Sequence, residues 1–287
     1  MRRIYMDSSK TLNKEKETLG KVQYHIHVKP GDVGKYVLLP GDPDRVLRIA
    51  KYLDDSREIA FHREHRTCTG SYKGITISAT STGMGCPSTA IAVEELANVG
   101  ATHFIRVGST AALQRGLNIG DLVVSTGSMR LDGSGRYYAH EGFPAVPDHF
   151  LTHALIDTAN ELKEKLGYVL HTGIGVTSDA FYGETPELIR FMIEHRALNV
   201  EMESSVLYII AHMRGLKAAM ICAVSSNLAT NDFIYEGVNT GLVKGWENEI
   251  KVVLEAIYNY ETKGYEALSN SLTEKITFEK KRYHPAW

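Results

Sequence analysis

Short apolar, β-rich runs alternate with helical stripes along almost the whole chain, and this alternation constrains the fold more than any other feature. The runs lie at residues 36–39, 75–80, 103–107, 122–126, 173–177, 199–202 and 218–224. Between them, apolar spacing predicts helices over 43–53, 88–99, 149–166, 186–196, 204–214 and 242–260. In the last of these, Leu242, Trp246, Ile250, Val253, Leu254 and Ile257 form one stripe. Strands that are apolar at successive positions need cover on both faces, which interleaved helices supply. The expectation is a single α/β domain: a central mixed, twisted β-sheet flanked by helices. Residues 7–20 are polar and charged. Residues 1–20 therefore read as a mobile N-terminal arm, 21–268 as the domain, and 269–287 as a polar, basic C-terminal tail.

Composition narrows the class of partner. The formal net charge is −2, so no global field draws the chain to nucleic acid or acidic membranes, and an anion site must be a local cluster. The three cysteines, Cys68, Cys86 and Cys222, are odd in number and far apart. That pattern fits free thiols in a reducing cytoplasm better than a disulfide frame or a zinc site. The residues after Arg2 and Arg3 are too briefly apolar for a signal peptide, and no run reaches membrane-spanning length.

Four segments carry chemistry. In Tyr36-Val37-Leu38-Leu39-Pro40-Gly41-Asp42-Pro43-Asp44-Arg45 an apolar strand stops at a Pro-Gly turn and a helix opens at Asp42 or Asp44. Gly41 permits close approach of backbone to ligand, free N–H groups suit an anion, and Arg45 adds a planar cation. The bland alternative is a plain strand-turn-helix with a surface Arg. The second segment is Phe61-His62-Arg63-Glu64-His65-Arg66, whose bland alternative is a charged edge strand. In the third, Phe104-Ile105-Arg106-Val107-Gly108-Ser109-Thr110, Arg106 sits inside an apolar strand. A buried Arg demands an anionic partner. Gly41, Arg45, Arg106 and Ser109 thus suit one phosphate pocket at a strand's C-terminal edge. The fourth is Val200-Glu201-Met202-Glu203-Ser204-Ser205. Glu201 and Glu203 share a face if the strand continues through them, and such a pair suits the vicinal hydroxyls of a ribose. The alternative makes Glu203 a charge at the N-terminus of the following helix.

These runs, together with Ser81-Thr82-Gly83-Met84-Gly85, Arg130-Leu131-Asp132-Gly133, Phe143-Pro144-Ala145-Val146 and Ser178-Asp179-Ala180-Phe181-Tyr182, occur in order and at matching spacing. Over about residues 24–260 the chain resembles the hexameric, uridine-phosphorylase-like nucleoside phosphorylases. The resemblance implies phosphorolysis of a ribonucleoside to a free base and ribose 1-phosphate. Inorganic phosphate is then a co-substrate, and no metal or organic cofactor is required. It implies phosphate binding by Gly41, Arg45, Arg106 and Ser109, with Arg63 reaching a neighbouring subunit's phosphate. Glu203, Glu201 and Met202 fall at the ribose, and His25 crosses a dimer interface to the 5′-hydroxyl. Arg106, Glu203 and Arg45 are the catalytic set. Phe181 faces base or sugar, with Ser225, Ser226 and Asn227 lining the base end. Glu64 and Ser88 match side chains that hold a monovalent cation, potassium, at the dimer interface in some members. The implied assembly is a homo-oligomer, with a dimer as minimal unit within a hexamer.

The base end departs from the family pattern. The uracil-reading Gln and Arg have no counterpart in Phe181-Tyr182-Gly183-Glu184-Thr185, and a further family Arg falls on Leu228. The Asp that protonates a purine falls on Ser226. Glu184, Asn227 and Asp232 are the candidates for a different readout. Uridine ranks first and purine nucleosides second. A nucleosidase using water, or a non-catalytic nucleoside-binding protein, are the competing functions. The arginine set argues against the first, and the joint survival of phosphate and ribose elements against the second.

Overall fold

A computed structural model of the chain describes residues 21–232 and 240–273. The expected arm at 1–20 and the expected tail beyond 273 lie outside the described residues. From the first described strand the order is β1 (Tyr36–Leu39), α1 (Pro43–Ala50), β2 (Asp54–His62), β3 (His65–Tyr72), β4 (Ile75–Thr80), α2 (Cys86–Asn98) and β5 (His103–Ala112). It continues with β6 (Leu122–Leu131), α3 (His149–Leu166), β7 (Leu170–Ser178), α4 (Pro186–Glu194), β8 (Asn199–Glu201), α5 (Ser204–Arg214), β9 (Lys217–Asn227), α6 (Thr240–Thr262) and α7 (Tyr265–Thr273).

The strands form one mixed sheet, ordered β2-β3-β4-β1-β5-β8-β7-β6-β9, and β9 also pairs back onto β5. Strands β5 to β9 therefore close on themselves, while β2 lies at the open edge. The apolar strands are covered on both faces, as their composition demands. Tyr36 and Leu38 of β1 enter one core with Leu151, Leu155, Val253 and Ile257 of α3 and α6. Val37 and Leu39 enter the other, with Val93, Leu96, Leu207 and Ile210 of α2 and α5. Each such fully buried Val, Leu or Ile contributes about 1.5–3 kcal/mol.

One topological detail places the site. Strand β5 pairs with β1 up to Leu39↔Arg106, and with β8 from Ala111↔Val200. Between these points neither neighbour reaches that edge. The sheet opens there, beside the turn after β1 and the junction after β8.

The expected elements are present, with informative shifts. Strand β5 does not end at Val107. It runs through Gly108, Ser109 and Thr110, paired with β9. Strand β9 likewise runs past Val224 and takes in Ser225, Ser226 and Asn227. The β2–β3 hairpin was not expected in full. Its outer strand β2 carries exposed and half-buried polar residues, as an edge allows. Arg63 and Glu64 are its two-residue turn, between paired His62 and His65. Helix α7 runs across residue 268, and Ser269 in it is buried and accepts from Lys217 Nζ at 2.5 Å. Among the described residues no helix is long and apolar enough to cross a membrane. Cys68, Cys86 and Cys222 are buried and unbridged.

Candidate active site

A cleft of about 900 Å³ opens along the free edge of β5. The turn after β1 forms one wall. It is pinned by Thr82 N–H donating to Pro40 O at 2.8 Å and Gly83 N–H donating to Gly41 O at 3.0 Å. A Cβ on Gly41 would lie 3.1 Å from Gly83 O, so the close approach of the two loops favours glycine. Asp42 caps α1 by accepting from Asp44 N–H at 2.9 Å, and Pro43 opens the helix.

This helix start carries Arg45 into the cleft. Arg45 Nη2 donates to Ser109 Oγ at 2.7 Å, and its guanidinium lies 4.3 Å from the Trp246 ring centroid. Its Nε is buried without a partner among the described residues. Behind it, on α6, the Glu249 carboxyl is 1% exposed. Burial pushes that carboxyl up to about 8, against the pull of Arg45 and Arg106. The raised Glu249 carboxyl only partly offsets the charge of Arg45, which faces the cleft.

The opposite wall is acidic. Arg106, 5% exposed, donates from Nε to Glu201 Oε2 at 2.7 Å and from Nη2 to Glu203 Oε2 at 2.6 Å. Burial opposes its charge, but Glu203 and Glu201 outweigh burial and raise its pKa. Burial also raises the Glu203 carboxyl, with Arg106 opposing. One cation beside two carboxylates leaves the trio with surplus negative charge when Glu203 is ionised. The guanidinium folds back over Gly108, where a Cβ would sit 3.2 Å from Nη1.

The two carboxylates converge, but not by strand alternation. Strand β8 ends at Glu201, and Glu203 stands at the N-cap position of α5 with φ −137°. Their roles divide. Glu201 accepts from Thr177 Oγ1, Ser204 Oγ, Ser204 N and Glu203 N as well as Arg106. It is the anion at the start of α5, the role the sequence suggested for Glu203, and protein donors occupy its oxygens. Glu203 Oε1 accepts only from Gly85 N–H, at 2.7 Å, among the described residues, which leaves an acceptor direction open. Met202 lies between the carboxylates and also lines the cleft.

Of the other expected residues, Phe181, Ser225, Ser226 and Glu64 line this same cleft, as do Tyr182, Glu184, Ile189 and Leu228. Phe181 is 53% exposed at the mouth. Glu184 is half-buried, and burial raises its carboxyl. Asn227 does not line the cleft. Its amide donates to Gln114 O and Leu117 O and its oxygen accepts from Ala229 N–H, so it braces a turn. Asp232 pairs with Asn227 in that turn. His25, Arg63 and Ser88 also lie off the cleft lining. His25 Nδ1 is 2.6 Å from Glu95 Oε1. Arg63 is exposed on the hairpin turn at φ 55°. Ser88 Oγ donates to Glu64 Oε1 at 2.7 Å, a bond that lowers the Glu64 pKa. Among the described residues no group of His, Cys, Asp and Glu is arranged to hold a metal ion.

Sequence reasoning missed Trp246, Glu249, Thr177 and Gly85. Trp246 and Glu249 lie far along the chain, on a helix whose apolar stripe reads as core. The clue was a tryptophan in that stripe together with a carboxylate one turn later.

Comparison with known proteins identifies the family. The model of the phosphorylase superfamily matches residues 35–255. A uridine phosphorylase of Thermococcus kodakarensis is 50% identical over 225 residues, spanning 74% of this chain and 80% of that protein. A guanosine phosphorylase of Halorubrum lacusprofundi is 40% identical over 210 residues, 73% of this chain and 86% of that protein. The crystal structure of a uridine phosphorylase from Vibrio fischeri superposes with a TM-score of 0.75 at 34% identity, covering 83% of this chain and 97% of that one. Sequence and overall fold agree, and the chain belongs to the phosphorylase superfamily.

Proposed function

We propose that the chain catalyses phosphorolysis of a ribonucleoside, with uridine first among the bases. A phosphate oxygen bonds to C1′ as the C1′–N bond breaks. The base leaves with the electron pair and takes up a proton, giving ribose 1-phosphate. The observation that carries this reading is Arg106. It joins a cationic pocket, with Arg45 and Ser109, to a carboxylate pocket in one cleft. Positive charge builds on the sugar as the base departs, and an anion held beneath C1′ stabilises it. The open acceptor of Glu203 takes the 2′- or 3′-hydroxyl.

The base end favours keeping a second reading, a purine nucleoside. Among the described residues Glu184 is a carboxyl that lines the cleft together with Phe181, Ser225 and Ser226. An ionised Glu184 accepts from a ring N–H, which uracil and guanine present and adenine and cytosine lack. The test is a screen of uridine, thymidine, inosine, guanosine, adenosine and methylthioadenosine with phosphate present. Uridine leading refutes the purine reading. Guanosine or inosine leading refutes the uridine ranking. No turnover of any would refute the enzyme.

We infer a homodimer as the minimal unit, within a hexamer. Among the described residues Arg63 and His25 do not line the cleft of their own chain, and Tyr24, Phe61 and Met84 near them are exposed. Glu64 and Ser88, converging hard oxygen donors, suit a potassium ion there; it would supply charge that ties subunits. Three buried free thiols support a cytoplasmic setting.

A further inference from the structure

Ser109 Oγ receives two donors. Arg45 Nη2 reaches it at 2.7 Å and Trp246 Nε1 at 2.9 Å. A hydroxyl has one proton to give and two lone pairs to accept with. Both accepting directions are taken by groups that cannot accept in return, because guanidinium and indole N–H only donate. The Ser109 proton therefore has to point elsewhere, and Ser109 lines the cleft with no acceptor for it among the described residues. A hydroxyl polarised by a cation and an N–H is also a stronger donor to an oxyanion.

Trp246 does a second thing. Its ring lies under the Arg45 guanidinium at 4.3 Å, a cation–π contact that restrains a side chain whose Nε has no partner among the described residues. One residue thus fixes the direction of one phosphate donor and the position of another. Trp246 is not among the residues that line the cleft.

We propose that Trp246 is a positioning residue for inorganic phosphate, holding Arg45 from beneath and committing the Ser109 hydroxyl to donate toward the bound anion. The residue type matters. A Gln, His or Glu in this place offers an acceptor that competes for the Ser109 proton. The proposal rests on the phosphorolysis reading above, and the test separates the two.

The first experiment is steady-state kinetics, varying phosphate and nucleoside in turn. Trp246→Phe keeps the ring face and loses the N–H. The phosphate KM should rise about three- to tenfold. Trp246→Leu loses both contacts and should add a further two- to fivefold. The nucleoside KM should stay within about twofold in each, which general unfolding would not produce. The second experiment uses the wild-type indole as reporter. The chain has two tryptophans, Trp246 and Trp287. In Trp287→Phe, titration with inorganic phosphate should change the remaining fluorescence saturably. An unchanged phosphate KM in folded Trp246→Phe overturns the proposal. So does flat fluorescence where calorimetry detects phosphate binding. A wild-type enzyme that releases base without phosphate instead removes the underlying reading.

Discussion

Replacing Gly108 by alanine tests how tightly the site depends on Arg106. The new Cβ would meet Arg106 Nη1 at 3.2 Å and Cζ and Nη2 at 3.4 Å. Relaxed contacts run about 3.5–4.0 Å, so the guanidinium must move by a few tenths of an ångström. It is not free to do so, because bonds of 2.7 Å to Glu201 and 2.6 Å to Glu203 hold it. Losing one such charge-assisted bond costs about 1.5–3 kcal/mol. At 1.36 kcal/mol per decade this is roughly ten- to hundredfold in kcat/KM. Overpacking also lowers stability, by about 1–3 kcal/mol. The assay is steady-state kinetics beside urea denaturation of the same preparation. Because Arg106 serves both halves of the cleft, the KM values for phosphate and nucleoside should rise together. A folded Gly108→Ala enzyme with wild-type kcat/KM would mean that Arg106 is not held against β5, and the reasoning fails.

Other perturbations separate the remaining parts. Glu203→Gln should lower nucleoside kcat/KM by at least about 100-fold, the scale of a lost transition-state contact, while the phosphate KM stays near wild type. An unchanged rate would reduce Glu203 to a structural charge. Glu249 should impose a pH dependence on stability. Its native pKa is raised from 4.5 to about 8, so between these values the folded state binds a proton the unfolded state has released. Stability therefore falls as pH rises across that window, by at most about 1.4 kcal/mol per pH unit from this group, and Glu249→Gln should flatten the slope in urea titrations. Identical slopes in the two proteins would exclude a raised Glu249. Finally, inactive His25→Ala/Arg63→Ala subunits mixed with inactive Arg106→Ala subunits should regain activity on exchange. No recovery after demonstrated exchange would contradict shared sites.

Most of the layered fold was legible because strands covered on both faces have no polar alternation to disguise them. Tyr36–Leu39 is such a strand, and its bounds match the expectation, as do those of Ile75–Thr80, where Ile, Ile and Ala alternate with Thr, Ser and Thr. The β2–β3 hairpin was not legible as a unit. Its outer strand mixes Arg57, Glu58 and His62 with few apolar residues, because an edge needs little burial. In the site, Arg106 announced itself as a charge within an apolar run, and Gly41-to-Arg45 as a turn feeding a helix. Glu201 was harder to read. Spacing paired it with Glu203, but the chain leaves the strand between them, and only the three-dimensional network assigns Glu201 to Ser204, Thr177 and Arg106. Trp246 reads as one more apolar residue on α6 until its contact with Ser109 is known.

The central claim is that phosphate, not water, receives the ribosyl group in the pocket of Arg45, Arg106 and Ser109. The most direct measurement follows uridine cleavage by ³¹P NMR, alongside ultraviolet detection of free base, with and without inorganic phosphate. The account predicts one ribose 1-phosphate formed per base released, and no release in phosphate-free buffer. Base release at full rate without phosphate, accompanied by free ribose, would contradict it.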